Sequence, residues 1–187
     1  MNNLDLIGRI KAQPKPVIIG ISGFGGSGKS TLARHLSEQL AAPIIGVDSF
    51  FRSITETDYR NWEIIDFERL YTAVILPFTH HQNPLSFTEM DWGTGEITRQ
   101  TEIQHNGVLI IEGIGLFREP LLGRLAIKIW IDCPIEVAME RGKARDKNEY
   151  GVDNDHLWDT LWKENDLQYF ASKKPHEAAD YVLPYVT

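Results

Sequence analysis

The stretch VIIGISGFGGSGKSTLARHL, from Val17 to Leu36, decides how this chain begins to fold. Its first residues form an aliphatic run, which is typical of a strand buried on both faces. A glycine-rich segment follows, and then leucines recur at helical spacing. A strand, a flexible loop and a helix in this order bring backbone N–H groups to the start of the helix, where anions bind. The stretch therefore predicts an anion-binding loop between a buried strand and a helix.

The loop matches the pattern G-x-x-x-x-G-K-[ST] in full. In this motif the backbone N–H groups surround the phosphates, the lysine reaches the β- and γ-phosphates, and the hydroxyl binds Mg²⁺. The alternative is a glycine-rich turn with a surface lysine. The probability that a chain of this length matches the pattern by chance is about one in a hundred. The sequence thus predicts nucleoside triphosphate binding. The predicted contact residues are Gly23, Gly25, Gly26, Ser27, Gly28, Lys29, Ser30 and Thr31.

Composition limits the class of protein. The chain has 187 residues, of which 42% are hydrophobic and 24% charged, so it is long enough for one globular domain with a sizeable core. A net charge of −7 argues against broad binding to nucleic acid or anionic membranes. The chain lacks a signal-peptide core, and its apolar runs are shorter than the ~18 residues of a membrane span. We therefore expect a soluble, cytoplasmic protein, whose single cysteine, Cys133, is a buried thiol.

Strands and helices alternate along the chain, which predicts an α/β fold with a parallel sheet between helices. The predicted strands cover 17–22, 44–48, 108–111, 127–132 and 181–183, and the predicted helices cover 1–13, 30–40, 66–76, 134–145 and 155–171. Residues 96–104 alternate in polarity and predict an edge strand. Ligands of such folds bind at the carboxyl ends of the strands.

Two carboxylates follow predicted strands and so should lie near the phosphate loop. Asp48 is placed to accept a proton from an attacking hydroxyl, with a helix cap or a turn as the alternative. Glu112 is placed to support Mg²⁺ together with Ser30, directly or through water, with a carboxylate satisfied by nearby amides as the alternative. Asp132 also ends a strand, and we expect it to cap the helix after Pro134.

Two arginines four residues apart, Arg141 and Arg145, share one face of a predicted helix. Guanidinium groups on a mobile segment can stabilise the charge of a phosphoryl group in transfer. The alternative is solvent-exposed charge that pairs with Glu140 and Asp146. The sequence favours the phosphate role because the pair accompanies a phosphate loop.

Together these features resemble the uridine kinase family of P-loop kinases, a group that includes phosphoribulokinase, pantothenate kinase and nicotinamide riboside kinase. The resemblance spans roughly Val17 to Leu183. The segments that carry it are GISGFGGSGKSTLA, VDSFF, NWE, MDWGTGE, LIIEGIGLF, IWIDCP and RGKARD. The phosphate loop is strong but generic, whereas DSFF and IIEG at these distances are moderately specific together.

The resemblance implies an NMP-kinase-like three-layer sandwich with a five-stranded parallel sheet in the order 2-3-1-4-5. It implies one kinase domain over 1–187, an acceptor-binding insert at about 50–105 and a lid at about 141–155. It also implies ATP and Mg²⁺ as donor, and a nucleoside hydroxyl, uridine or cytidine above others, as acceptor.

The resemblance also assigns roles to single residues. Asp48 matches the family's general base, and Lys29, Arg141 and Arg145 complete the implied catalytic set. The implied acceptor-binding residues are Asp48, Phe51, Trp62, Glu63, Asp91 and Trp92, and the implied metal ligands are Ser30 and Glu112. For Trp62 and Trp92 the sequence leaves open whether each ring stacks on the acceptor or packs in the core.

One departure bears on the acceptor. Uridine kinases follow the segment that matches MDW with a histidine and an arginine, whereas GTGEIT stands here. The alternatives are therefore a kinase for another alcohol, such as nicotinamide riboside, pantothenate or a sugar phosphate, and an accessory ATPase that is not a kinase. The expected partner is a small molecule, with no nucleic acid and no membrane, and a homodimer is left open.

Overall fold

The computed structural model describes residues 3–185, and its centre is a five-stranded parallel sheet. In chain order the strands are β1 (Val17–Gly23), β2 (Ile44–Gly46), β3 (Leu85–Asp91), β4 (Glu96–Ile103), β5 (Val108–Glu112), β6 (Ile127–Asp132) and β7 (Tyr181–Pro184). The main sheet has the order β2-β5-β1-β6-β7, and β3 and β4 form a separate hairpin. Numbered along the chain, the five main strands follow the order 2-3-1-4-5, which confirms the prediction.

Residues 3–185 form six helices around the two sheets. They are α1 (Asn3–Lys11), α2 (Lys29–Leu40), α3 (67–79), α4 (135–150), α5 (155–173) and α6 (Pro175–Ala178). Three of them contain a π-helical stretch, at Tyr71–Ile75, Asp146–Tyr150 and Trp158–Trp162. Within the range 3–185, no helix is long and apolar enough to cross a membrane.

The sheet lies between two apolar layers because successive residues of β1 point to opposite faces. Ile19 and Ile21 are buried on the face that packs against α1 and α2. Ile18 is buried on the other face, in a cluster that includes Phe78 of α3 and Tyr169 of α5. This arrangement confirms the predicted three-layer α/β sandwich.

The hairpin is only half predicted. The sequence indicates β4, but it gives no strand at Leu85–Asp91, which pairs with β4 in antiparallel register. Phe87 and Met90 are both buried although they are three residues apart, because the register shifts between Glu89 and Met90. A bulge of this kind breaks the two-residue alternation that reveals a strand.

Three local predictions can be compared with the structure. The second strand ends at Gly46 rather than Asp48, because the chain turns into a 3₁₀ helix over Val47–Phe50. The helix predicted to begin at Asp66 is confirmed, and Asp66 caps it, since its side chain accepts a hydrogen bond from the backbone N–H of Arg69. The cap predicted at Asp132 is wrong, because α4 begins after Pro134 with no side-chain capping bond.

Candidate functional site

The phosphate loop joins β1 to α2 at the carboxyl edge of the main sheet. Two of its glycines, Gly26 and Gly28, have φ values of 79° and 103°, which side chains of L-amino acids rarely adopt. At Gly26 space also excludes a side chain, because a Cβ there would lie 2.0 Å from the carbonyl oxygen of Ala138. Both the backbone conformation and the close approach of α4 therefore require glycine in this loop.

The start of α2 offers backbone donors to the loop. The N–H of Leu32 donates to the carbonyl oxygen of Gly28 at 3.2 Å, and no side chain caps this end of the helix. The preceding N–H groups, those of Lys29, Ser30 and Thr31, therefore have no partner in the first helical turn. They stand at the positive end of the helix dipole, which is a binding site for anionic oxygens.

Two side chains of the loop fit an anionic ligand as well. Lys29 is 9% exposed, and its Nζ donates to the carbonyl oxygen of Phe24 at 2.8 Å across the loop. The hydroxyl of Ser27 is buried and has no hydrogen-bond partner among residues 3–185. Buried polar atoms are rarely left without a partner. A ligand with many acceptor oxygens, such as a triphosphate, fits these donors.

The two predicted metal ligands lie side by side. Ser30 Oγ donates to Glu112 Oε1 at 2.9 Å, because β1 and β5 are neighbours and both end at this edge. The turn after Glu112 is tight: a Cβ at Gly113 would lie 2.1 Å from Val47 Cγ2. Hydroxyl and carboxylate oxygens are ligands that Mg²⁺ prefers, usually with several waters. The residue types and their placement therefore fit Mg²⁺.

Asp48 lies in the 3₁₀ turn that follows β2, and its side chain is accessible to solvent. Lys29 and Arg145 both act on its carboxyl electrostatically. Asp48 therefore faces the phosphate loop from beside it, as the sequence predicts, although the turn rather than the strand end places it there.

The carboxyls of Asp48 and Glu112 share one electrostatic environment. The surrounding protein displaces water from both, which raises the pKa of each above its usual value, while Lys29 and Arg145 act in the opposite direction. The charge of Asp48 adds to the rise at Glu112, and the hydrogen bond from Ser30 opposes it. A carboxylate with a raised pKa is a stronger base than a free one.

The arginine pair of α4 lies at the same loop. One terminal nitrogen of Arg141 is 3.8 Å from the position that a Cβ on Gly28 would take, and the guanidinium is 5.8 Å from the centre of the Tyr185 ring. Arg145 donates from Nη2 to Asp146 Oδ1 at 2.8 Å. Its charge nevertheless reaches Asp48 and Glu112. The structure thus brings both arginines to the loop, and it also contains the Asp146 pairing of the alternative interpretation.

The predicted acceptor-binding residues fall into two groups. Phe51 and Trp92 contact each other with ring centres 5.4 Å apart, and Trp92 is 54% exposed. Asp91 accepts a hydrogen bond from the N–H of Gly93 at 2.8 Å and so shapes the turn of the hairpin. Glu63 is exposed. These four side chains are accessible or partly accessible to a small molecule.

Trp62 belongs to the second group because it is 6% exposed. Its ring lies 6.0 Å from that of Tyr59, and its indole Nε1 donates to Asp166 Oδ1 at 2.8 Å. The structure supports the packing alternative for this residue, since the ring has little free surface on which a base could stack.

Two buried polar residues of α5, Asn165 and Asp166, are not among the residues that the sequence predicts for the site. Asp166 Oδ2 accepts a hydrogen bond from the N–H of Gly25 in the phosphate loop at 2.9 Å. A signal was present, because both residues lie at helical spacing with Trp162 and Tyr169, on the face that should be apolar. A polar pair on such a face must find partners in the interior.

The chain is similar to known proteins over most of its length. A family model described as an AAA domain matches residues 19–166. A uridine kinase from Ligilactobacillus salivarius is 30% identical over 154 residues, which cover 73% of this chain and 70% of that protein. A uridine kinase from Clostridium perfringens is 27% identical over 150 residues, covering 73% of this chain and 71% of that protein.

A solved structure described as a possible uridine kinase from Bacillus stearothermophilus has the same fold. The TM-score is 0.70 at 20% sequence identity, and the match covers 96% of this chain and 95% of that one. Since the match covers nearly the whole chain, the fold follows one known architecture from end to end of the matched range.

Proposed function

This chain belongs to the uridine kinase-like family of P-loop kinases, and its residues 19–166 match the AAA domain family. We propose a function on this basis. The proposed reaction is transfer of the γ-phosphoryl group of ATP to a hydroxyl of a nucleoside-like small molecule, with uridine or cytidine as the best candidates. The observation that carries the proposal is the position of Asp48, an accessible carboxylate on which Lys29 and Arg145 of the phosphate site act.

The donor side is proposed to hold ATP with Mg²⁺. The amides at the start of α2 and the ammonium of Lys29 bind the phosphates. To do so, Lys29 gives up its hydrogen bond to the Phe24 carbonyl oxygen. Ser30 and Glu112 hold the ion. When bound, Mg²⁺ neutralises charge on the phosphates and supports their orientation.

On the acceptor side, Asp48 accepts the proton of the attacking hydroxyl and orients its oxygen toward the γ-phosphoryl group. The raised pKa of its carboxyl supports this role, because a stronger base removes the proton more readily. Phe51, Glu63, Asp91 and Trp92 are proposed to contact the acceptor, within an insert at about 50–105.

The lid is proposed to comprise about 141–155. Arg141 and Arg145 stabilise the phosphoryl group during transfer, when its charge is spread over the equatorial oxygens. Arg145 then exchanges part of its pairing with Asp146 for the phosphoryl oxygens. Cytoplasmic location stays a prediction, and the oligomeric state stays open.

The test is release of ADP from ATP and Mg²⁺ with a panel of acceptors: uridine, cytidine, nicotinamide riboside, pantothenate and sugar phosphates. We expect strong stimulation by uridine or cytidine and none in the Lys29→Ala variant, which controls for contaminating kinases. Stimulation by another alcohol alone would move the acceptor assignment to that compound. Turnover that no acceptor changes would contradict a kinase and favour an accessory ATPase.

A further inference from the structure

The segment opposite the phosphate loop contains a strained turn. Asn61 and Trp62 have φ values of 50° and 60°, in a region that few non-glycine residues adopt. Several hydrogen bonds hold the turn. Arg118 Nη2 donates to the Asn61 carbonyl oxygen at 2.6 Å, and the N–H groups of Trp62 and Asn61 donate to Asn165 Oδ1 and Gln168 Oε1 at 2.9 and 3.4 Å. Helix α5 thus fixes the turn that presents Glu63.

The same helix reaches the phosphate loop through Asp166, which is 3% exposed. One oxygen, Oδ1, accepts the indole N–H of Trp62 at 2.8 Å, and the other, Oδ2, accepts the backbone N–H of Gly25 at 2.9 Å. A single buried carboxylate is therefore bonded to a residue of the nucleotide site and to a residue of the acceptor-side turn.

We propose that Asp166 is a positioning residue that couples the phosphate loop to the turn at 61–63, so that a nucleotide in the loop adjusts the acceptor side of the cleft. The two bonds can exist together only with the ionised carboxylate, since each of its oxygens must then accept. A shift of Gly25 upon nucleotide binding moves Asp166, and through it the indole of Trp62. The inference rests on the nucleotide binding of the proposed function and on no particular acceptor.

The protonation of Asp166 adds a pH dependence. Burial raises the pKa of its carboxyl to about 6. The N–H of Gly25, the charge of Lys29 and the N–H of Trp62 lower the pKa but do not offset the effect of burial. The other titratable groups that face it are Tyr59 and Tyr169. As pH falls through this value, one oxygen becomes an O–H donor that faces an N–H donor, and one bond is lost. Coupling is therefore present above about pH 6 and lost below it.

Three variants separate coupling from packing. Asp166→Asn keeps the shape but offers one acceptor oxygen and places an NH₂ against the other donor, which breaks at least one bond. Trp62→Phe removes the indole N–H and leaves the bond to Gly25 intact. Glu164→Gln is the matched control, because Glu164 lies on the same helix and pairs with Arg60 at 3.2 Å on the exposed surface.

The experiment is titration of each variant with MgADP while tryptophan emission is recorded. The difference between the parent protein and Trp62→Phe gives the response of Trp62 alone. We expect MgADP to change this response, Asp166→Asn to reduce it about twofold or more, and Glu164→Gln to leave it unchanged. The Trp62 response of Asp166→Asn is measured against the double variant Asp166→Asn with Trp62→Phe. A response as large as that of the parent would overturn the coupling.

A second measurement needs no variant of Asp166 and therefore remains decisive if Asp166→Asn does not fold. The Trp62 response of the parent protein, again against Trp62→Phe, should fall on acidification with a midpoint near pH 6, the value to which the pKa of Asp166 is raised. A response that is constant from about pH 5 to about pH 8 would contradict the inference. Binding of MgADP without any Trp62 response would overturn this inference alone, whereas no binding at all would also overturn the proposed function.

Discussion

At the residue scale, the proposed reaction depends on the surroundings of Asp48. Asp48 is an exposed residue, yet the protein around its carboxyl displaces enough water to raise the pKa of that group, and Lys29 and Arg145 oppose the rise. An alcohol is a weak nucleophile and gains from a base that is both accessible and positioned. A residue that only forms a turn or a cap does not need to be positioned toward the phosphates.

The first prediction concerns Asp48→Asn. We expect phosphoryl transfer to fall by about 10²–10⁴-fold, because the amide cannot accept the proton of the acceptor hydroxyl, while MgATP affinity stays nearly unchanged. Uridine-dependent ADP release measures the rate, and titration with MgATP measures donor binding. Asp58→Asn is the control, as it alters an exposed carboxylate of the same segment. A rate close to that of the parent would reduce Asp48 to a turn residue.

At the element scale, α4 covers the phosphate loop at very short range. A Cβ at Gly142 would lie 2.3 Å from the Trp158 ring, and a Cβ at Gly26 would contact the backbone of the same helix. Asp146 joins this helix to α5, because it accepts the indole N–H of Trp158 at 2.9 Å as well as the guanidinium of Arg145. The helix that carries the arginines is therefore packed against the phosphate loop and bonded to α5.

The second prediction concerns the two arginines of α4. Arg141→Ala and Arg145→Ala should each lower kcat more than they weaken MgATP binding, because their charge matters most when the phosphoryl group is in transfer. Lys143→Ala is the matched control on the same helix, since Lys143 pairs instead with Glu140 and Asp159. Steady-state rates and MgATP titration separate the two effects. Changes confined to KM would make the arginines ordinary binding residues.

The third prediction concerns helix packing. Gly142→Ala should destabilise the fold by about 1–3 kcal/mol, because the added methyl overlaps the Trp158 ring in a close-packed interior. Gly8→Ala is the comparison, since a Cβ at Gly8 in α1 meets nothing within 4 Å, and alanine should stabilise this helix by up to ~1 kcal/mol. Urea unfolding of both variants measures the difference. Equal stabilities would show that α4 and α5 can separate without penalty.

At the scale of the whole molecule, a local group of positive charges stands out against a negative net charge. The chain carries −7 overall, yet Lys29, Arg141 and Arg145 lie together around one loop. Such a local positive site suits a compact anion, whereas nucleic acid requires an extended basic face. The carboxylates Asp48 and Glu112 at its border then suit a cation that accompanies the anion.

The fourth prediction concerns the metal. EDTA should abolish ADP release, and excess Mg²⁺ should restore it, because Ser30 and Glu112 are placed to hold the ion with the phosphates. Glu112→Gln should raise the Mg²⁺ concentration needed for half-maximal rate, while the fold, checked by circular dichroism, stays intact. Undiminished turnover in chelator would exclude Mg²⁺ from the proposed reaction.

The sequence by itself determined the donor half of this protein. The P-loop pattern predicted the strand, the loop and α2, because glycines, a lysine and a hydroxyl at fixed spacing leave few other conformations. The aliphatic runs predicted β1, β5 and β6 of the main sheet, since strands buried on both faces need them. Glu112 followed from the same logic, as an acid at the end of such a run.

Only the tertiary structure decided the acceptor half. Whether Trp62 stacks on a ligand or packs in the core depends on Asp166, which is 104 residues away in the chain and 2.8 Å away in space. The bulge that hides β3 and the 3₁₀ turn that places Asp48 are likewise set by packing. The physical reason is that contacts between distant segments, unlike a loop motif, leave no fixed spacing in the sequence to be recognised.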